Sequence, residues 1–569
     1  MSNELTIKIA GEAGQGMQSV SLALCKAFKK AGLSIFANQD YMSRIRGGNN
    51  FSQLRICDKP IYAPRNSSDI LVALDKPSVS IHSQNLSSEA VIILDKNKFS
   101  ISEENNKFFD VPFYEMANKI GGSDIFINSV CCGLLAGLIR LDLSFIESAL
   151  KEIFQDKGEE LIRKNIEAAR AGYEFAKNNF SSDKFLLKPG NARNSLLFSA
   201  NEAIALGAIK AGCKFYSAYP MSPSTNIMNL LAGYAKDYQL MVEQAEDEIA
   251  AINMIIGASF AGVRSMLATS GGGFSLMVEG LSLAGMTETP IVAVDAQRPA
   301  PATGFPTRTE QADLDFLIHA GHGEFARAIF SPGTAEEAFY LTVKAFNLAE
   351  KYQIPVLIMT DQYLSESYRD VDMIDTDKIK VERYVISKED SKKVSNYKRY
   401  QLTESGISPL AVPSWIEDVI YADSDEHTEE GHISEDAQVR VKMVEKRFHK
   451  KMAGLSKEIE PPTAEGTDNA ETILIGFGST FGVMKEACER LKDKNIGFIH
   501  LPQVWPFPSE QITKLLKGAK KTLTVENNAA GQLARLIRRE TGIKINDSIL
   551  KFDGRPFSLD ILIERLEKD

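Results

Sequence analysis

The fold class predicted for this chain is α/β, in several domains. Short apolar runs of strand length alternate with segments of helical period, the pattern of a sheet layered with helices. The length, 569 residues, corresponds to about three or four domains at roughly 150 residues each. The alternation lapses once, over residues 386–465, and then restarts, which separates the blocks.

The first block opens with the apolar strand LTIKIA, the turn GEAGQG and the helical stretch MQSVSLALCKAFKKAG, which stops at Gly32. DILVALD from Asp69 and AVIILD from Ala90 are further strands of a mostly parallel sheet. The helical LIRKNIEAARAGYEFAKNN closes the block near residue 180, and the polar SSDKFLLKPGNARN reads as a linker. A second block starts near Ser195 with the helix SANEAIALGAIKAG. Its strand KFYSAYP runs into the Pro-broken loop MSPST, and PIVAVDA and PVLIMTD are later strands.

Lys, Ser, Asp and Glu dominate residues 386–465. The acidic run Asp423–Glu430 and the basic run Lys446–Lys451 are expected to be solvated faces of a surface excursion, or else a partner-docking arm. The last block restarts at Glu471. The strands ETILIGFGST, NIGFIHLPQ and KTLTVE alternate with the helices VMKEACERLKD and SEQITKLLKGAK, a βαβ domain of about 100 residues.

Composition narrows the function. Lys and Arg total 65 against 75 Asp and Glu, a net charge of −10, without the basic excess of a nucleic-acid binder. Six cysteines (Cys25, Cys57, Cys131, Cys132, Cys213, Cys488) show no CxxC spacing, which argues against a disulfide framework, an iron–sulfur cluster or a zinc knuckle in this chain. No secretory signal pattern is visible, and the apolar stretch Ile249–Val263 is too short for a membrane span. A buried helix and a cytoplasmic location are expected.

Several motifs carry candidate chemistry. Gly11, Gly14 and Gly16 form GxxGxG between a strand and a helix, rather than the dinucleotide GxGxxG. They make either a tight βα turn or a seat for a phosphate-bearing ligand other than NAD. Arg44 and Arg46 beside Gly47–Gly48 hold an anion or simply line a surface turn. Tyr219-Pro220-Met221-Ser222-Pro223-Ser224 follows a strand, where open α/β sheets bind ligands; Ser222 or Ser224 is equally a helix cap. Glu243, Glu246, Asp247 and Glu248 precede an apolar helix. Capping is their default role, and a buried one among them would suit proton transfer. Gly271 and Gly272 lie in a turn that admits a flat ring or another backbone. Arg298 ends a strand and suits a substrate carboxylate. His319 and His322 lack a third ligand of suitable spacing, so no metal site is assigned.

Taken in order, GEAGQG, SRIRGGNN, NEAIALGAIKAG, YPMSPST, EDEIAAINMIIGASFAG, TSGGGFSLMVEG, AQRPAPATGFPTRTEQADL and HGEF resemble the alpha subunit of the 2-oxoacid:ferredoxin oxidoreductases. The form is the one fused to a gamma domain, and the branch is that of 2-oxoglutarate synthase. The resemblance implies a Rossmann-like gamma domain linked with coenzyme A over 1–190. It implies a thiamine diphosphate pyrimidine-binding domain over 191–385, the connecting excursion over 386–465, and a transketolase C-terminal-like domain over 466–569. A beta subunit would carry the diphosphate-binding domain and a [4Fe–4S] cluster, in an alpha2beta2 heterotetramer that reduces ferredoxin. In keeping with that, the chain has no GDG followed by a suitably spaced Asn.

By the resemblance, Glu248 hydrogen-bonds the aminopyrimidine of thiamine diphosphate, with Glu246 as local rival, while Tyr219, Pro220, Gly271 and Gly272 border the cofactor. Ser222 and Arg298 meet the 2-oxoacid, assisted by Thr303 and Arg308. Gly11, Gly14, Gly16 and Arg46 are coenzyme A contacts. The implied reaction is oxidative decarboxylation to acyl-CoA and CO2. The chain departs from the family pattern at Met221 for Ile, Ser222 for Thr, Gly272 for Pro and Ala302 for Ser, which leaves the substrate open among 2-oxoglutarate, pyruvate, branched-chain and aryl 2-oxoacids. A non-catalytic scaffold subunit and an NAD-dependent dehydrogenase are the readings from other classes.

Overall fold

A computed structural model describes residues 4–42, 48–100, 107–180, 183–191 and 193–568. The chain forms two compact units. One comprises Met1–Phe198, Ser367–Met373 and Phe557–Asp569, the other Ser199–Glu366 and Ile374–Pro556. These limits differ from the sequence division in two places. The strands Ser195–Phe198 and Tyr368–Asp372 pair with each other in the first unit's sheet. The terminal helix Leu559–Lys568 also belongs there: Arg65 Nε donates to Asp560 at 2.8 Å and Leu559 N to the Pro64 carbonyl at 2.9 Å. Such returns are long-range and leave no periodicity in the sequence.

The first unit is built on one eight-stranded sheet. Phe108–Asp110, Leu86–Leu94, Ser68–Ala73 and Glu4–Glu12 are parallel neighbours. Beyond Glu4–Glu12 come Asn49–Cys57, Ser34–Asp40, Tyr368–Asp372 and Ser195–Phe198, all antiparallel. The expected mostly parallel sheet is therefore mixed. The strand Asn49–Cys57 is hard to see in sequence because it buries charge: Arg55 is 2% exposed, bonded to Glu4 at 2.9 Å and to the Ala63 carbonyl at 2.7 Å. Helices Ile127–Leu138 and Glu159–Asn179 approach so closely that a Cβ on Gly133 would lie 1.7 Å from the Ala169 carbonyl oxygen.

The second unit has two sheets that share an apolar core, from Ile252 and Phe274 to Ile475, Leu501 and Leu536. In the larger, Ala328–Phe330, Pro355–Asp361, Ile291–Gln297, Arg264–Thr269, Cys213–Ala218 and Met241–Gln244 are parallel, and Gln503–Trp505 adds an antiparallel edge. In the smaller, Ile496–Leu501, Thr472–Phe477, Lys521–Glu526 and Asp547–Leu550 are parallel, and Thr463–Glu465 is antiparallel. The helix Glu248–Phe260 buries Ala251, Ile252, Ile255 and Ile256 but leaves Ile249 and Met254 exposed, so it is only half the buried helix expected. Among the described residues, no single helix is long and apolar enough to cross a membrane.

The excursion is not a solvated arm. Lys446 and Lys451 are buried against Glu288, at 2.6 and 2.5 Å. Arg399 donates to the Glu288 carbonyl at 2.6 Å and to Gln353 Oε1 at 2.7 Å. In a regular α-helix, five positions turn the side-chain direction by about 140°, so both lysines would not face one carboxylate. A π-helical turn over Glu445–Lys450 brings them round. The acidic run folds in as well: Glu426 takes both Arg447 Nη atoms, at 2.8 and 2.7 Å, and His427 is buried on Tyr400. The three cations hold the Glu288 carboxyl far below the usual carboxylate range despite its burial.

Removing the one anion from this group is expected to be far worse than removing a cation. Glu288→Gln strands two buried ammonium groups and should cost about 3–5 kcal/mol, whereas Lys451→Met should cost little or nothing, about 0–1 kcal/mol. Shifts in the thermal and denaturant unfolding midpoints of the two variants check the order.

Candidate active site

Parallel strands deliver their C-terminal ends to one edge of the larger sheet, and the predicted residues of the second unit collect there. Cys213–Ala218 leads into Tyr219 and Pro220, then Ser222, joined to Pro223 by a cis peptide. Arg264–Thr269 leads into Gly271 and Gly272, and Ile291–Gln297 leads into Arg298. The half-buried Arg298 donates from Nη1 to the Ser222 carbonyl at 2.8 Å, which ties two of these loops together. Burial lowers the guanidinium's proton affinity and Asp295 raises it. Ser224 stands at the N-cap of helix Thr225–Tyr234, but its hydroxyl donates back to the Met221 carbonyl at 2.8 Å. Neither serine caps through its side chain, and the Ser222 hydroxyl stays half-exposed.

The carboxylates before helix Glu248–Phe260 divide their tasks. Asp247 caps the helix, accepting from Ala250 N at 2.7 Å. Glu243 and Glu246 are exposed. Glu248 is 5% exposed, and no described donor of this chain hydrogen-bonds its carboxylate. It packs on Gly273, where a Cβ would fall 2.7 Å from Glu248 Oε1 and 2.2 Å from Thr269 Oγ1. Thr269 in turn touches Met221 Sδ at 3.9 Å, so Glu248 and the Ser222–Arg298 pair belong to one site.

The loop after Arg298 is pinned from below: Gln311 Nε2 donates to the Phe477 carbonyl at 2.8 Å and Gln311 N to the Asn527 carbonyl at 2.7 Å. Thr303 is exposed, whereas Arg308 is buried and donates to the Thr307 carbonyl at 3.2 Å. Gly272 faces the Ala302 carbonyl across open space, so two departures from the family pattern lie opposite each other. His319 is occupied by the Asp315 carbonyl and Arg539, at 2.8 and 2.9 Å.

Gly11, Gly14 and Gly16 lie in the first unit. Gly16 is the left-handed N-cap residue of helix Met17–Lys30, and the Cβ direction of Gly14 is open. Arg46, like Arg44, falls outside the described residues.

Sequence reasoning missed three acids at this edge. Asp295 is buried within the Ile291–Gln297 strand beside Asp313, and burial with that neighbour pushes it well above the usual carboxylate range. Burial raises Asp313 to about 6, and burial with Asp313 raises Glu310 to about 7. The available signal was an aspartate inside the apolar run PIVAVDA.

Three family models match consecutive parts of the chain. The pyruvate ferredoxin/flavodoxin oxidoreductase model covers residues 6–175. The model described as pyruvate flavodoxin/ferredoxin oxidoreductase, thiamine diphosphate-binding, covers 206–446, and core domain II of pyruvate:ferredoxin oxidoreductase covers 470–561. A 2-oxoacid:ferredoxin oxidoreductase subunit alpha of Sulfolobus is 34% identical, covering 98% of this chain and 96% of the relative. The 2-oxoglutarate synthase subunit KorA of Methanocaldococcus jannaschii is 35% identical over 60% of this chain and 90% of its own. The solved 2-oxoglutarate:ferredoxin oxidoreductase of Magnetococcus marinus, with 2-oxoglutarate, coenzyme A and succinyl-CoA bound, superposes with a TM-score of 0.91 at 31% identity over 99% of both chains.

Gly273→Ala forces Thr269 and Glu248 to move and should cost about 1–3 kcal/mol of stability. Thr269→Ala in the same chain should recover part of that loss, which a double-mutant cycle on unfolding midpoints measures.

Proposed function

The chain belongs to the family of 2-oxoacid:ferredoxin oxidoreductase alpha subunits, and from that membership we propose that its second unit holds the aminopyrimidine side of thiamine diphosphate. The enzyme it forms oxidatively decarboxylates a 2-oxoacid, 2-oxoglutarate by preference, and passes the acyl group to coenzyme A and electrons to ferredoxin. The observation that carries this reading is Glu248: a buried carboxylate without a donor from its own chain, next to a glycine that keeps the space above it clear. A buried acceptor left unpaired costs about 1–3 kcal/mol, so the site is built for a donor that arrives with a ligand.

When bound, thiamine diphosphate supplies the electron sink for decarboxylation. The chain's own groups place and protect the reactants. Glu248 accepts a hydrogen bond from the aminopyrimidine, and Asp247 fixes the helix start from which it projects. Tyr219, Pro220, Gly271 and Gly272 border the ring. Arg298, held by the Ser222 carbonyl, keeps its outer donors for the substrate carboxylate, and the Ser222 hydroxyl is free to meet the 2-oxo oxygen. Thr303 and Arg308 flank that position. In the first unit, the backbone amides after Gly14 and Gly16 and the nearby Arg46 are assigned to coenzyme A phosphates.

The rim of the site supports a partner. Ile249 is 52% exposed, Leu276 52% and Phe305 58%, and helix Glu248–Phe260 is apolar nearly all round. Such a helix calls for cover on its open side. The beta subunit, carrying the diphosphate-binding domain and the [4Fe–4S] cluster, is assigned to this face. The assembly is an alpha2beta2 heterotetramer in the cytoplasm, and ferredoxin docks near the cluster.

In the reconstituted complex, Glu248→Ala should lower kcat by about 100-fold or more. Near-normal turnover would favour a scaffold role instead. Arg298→Gln should raise the 2-oxoacid KM roughly 10- to 100-fold with a smaller effect on kcat. Steady-state kinetics across 2-oxoglutarate, pyruvate, branched-chain and aryl 2-oxoacids test the substrate; faster turnover of pyruvate than of 2-oxoglutarate would refute the preference.

A further inference from the structure

The carboxylates of Asp295 and Asp313 stand beside Arg298 and have no part in the function proposed above. Asp295 is 1% exposed, and neither of its oxygens meets a hydrogen-bond donor. Asp313 occupies the N-cap of helix Leu314–His319, where an aspartate ordinarily accepts from the first amides of the helix. Its side chain makes no such bond, and Asp315 N is taken instead by Gln532 Oε1 at 3.0 Å. The Asp313 carboxylate lies over Gly271, where a Cβ would come within 2.4 Å of Oδ2, and its amide is fixed by Gln297 Oε1 at 2.9 Å. Each carboxylate is the other's hydrogen-bonding neighbour.

Two buried carboxylates turned together repel when both are ionised. A single proton turns that contact into a short O–H···O hydrogen bond and satisfies both groups. Three other charged groups lie around the pair. Arg298 is the cation next to Asp295. Glu310, half-buried, faces Asp313. Asp361, at the end of the neighbouring strand, is engaged by Thr309 Oγ1 at 3.1 Å and Leu364 N at 2.9 Å.

We propose that Asp295 and Asp313 share one proton and act together as positioning residues for Arg298. With a single negative charge between them, the pair steadies the guanidinium without neutralising it twice over. Its outer donors then stay available for the 2-oxoacid carboxylate, a role that rests on the reading of Arg298 given above. Loss of the shared proton leaves two charges that draw Arg298 inward and compete with the substrate. The 2-oxoacid KM therefore rises with pH, by up to about tenfold per pH unit.

The test has two arms. Infrared difference spectra of the full chain, titrated through the neutral range, should show a protonated-carboxyl C=O band that disappears in both Asp295→Asn and Asp313→Asn. In the reconstituted complex the rise of KM with pH should persist in wild type and in Glu310→Gln but flatten in the two Asn variants. Absence of the band, or an unchanged KM slope in the Asn variants, overturns the proposal. If one Asn variant fails to fold, the other carries the same prediction, and the wild-type band is read without any variant. An unchanged KM in Arg298→Gln would refute the assignment of Arg298 and with it the positioning role, and the band separates that failure from absence of a shared proton.

Discussion

Buried ion pairs at the N-terminal edge of the larger sheet hold the strands whose far ends form the site. Glu288 precedes the strand Ile291–Gln297 and is gripped by Lys446 and Lys451, while Arg399 links its carbonyl to Gln353, just ahead of Pro355–Asp361. Arg264 opens the next strand and joins Glu350 at 3.0 Å and the Ala211 carbonyl at 2.8 Å; Arg383 completes that group on Glu350 at 2.8 Å. Charge taken out of water demands fixed geometry, because a small displacement leaves a charge unpaired. Fixed starts and a continuous parallel register then place Ser222, Gly271 and Arg298 at one edge.

The opposite edge handles charge differently. Asp247 spends its carboxylate on the helix start, and Glu248, one residue on, is left without an intrachain donor. Adjacent positions thus separate a structural acid from a ligand-facing one, since successive helix residues point about 100° apart. The backbone between Met221 and Ser224 is held locally by Ser224, so the Ser222 carbonyl is presented to Arg298 while its hydroxyl is not consumed.

Much of this was legible in the sequence. Strands of near-continuous apolar residues, such as PIVAVDA and PVLIMTD, declare themselves because both faces are buried. The site motifs also declare themselves, since Gly and Pro at strand ends have few other uses. What stayed hidden was polar burial. Arg55 and Gln53 inside Asn49–Cys57 mask a strand, Lys446 and Lys451 look like solvated charges until Glu288 is found across from them, and Asp313 looks like an ordinary cap. In each case the partner is far away along the chain, and local pattern carries no trace of it. The return of residues 367–373 and 557–569 to the first unit was hidden for the same reason.

That interlacing bears on how the chain comes off the ribosome. The path passes between the two units four times, at 198/199, 366/367, 373/374 and 556/557. In the first unit's sheet, Tyr368–Asp372 lies between Ser34–Asp40 and Ser195–Phe198, so the latter strand has no place to dock until residue 372 has been made. The helix Leu559–Lys568 comes later still. The earliest-synthesised segment is therefore among the last to be completed, and an interrupted translation product carries an open sheet edge. Such an edge is a template for aberrant pairing and a mark by which chaperones and proteases tell unfinished chains from finished ones.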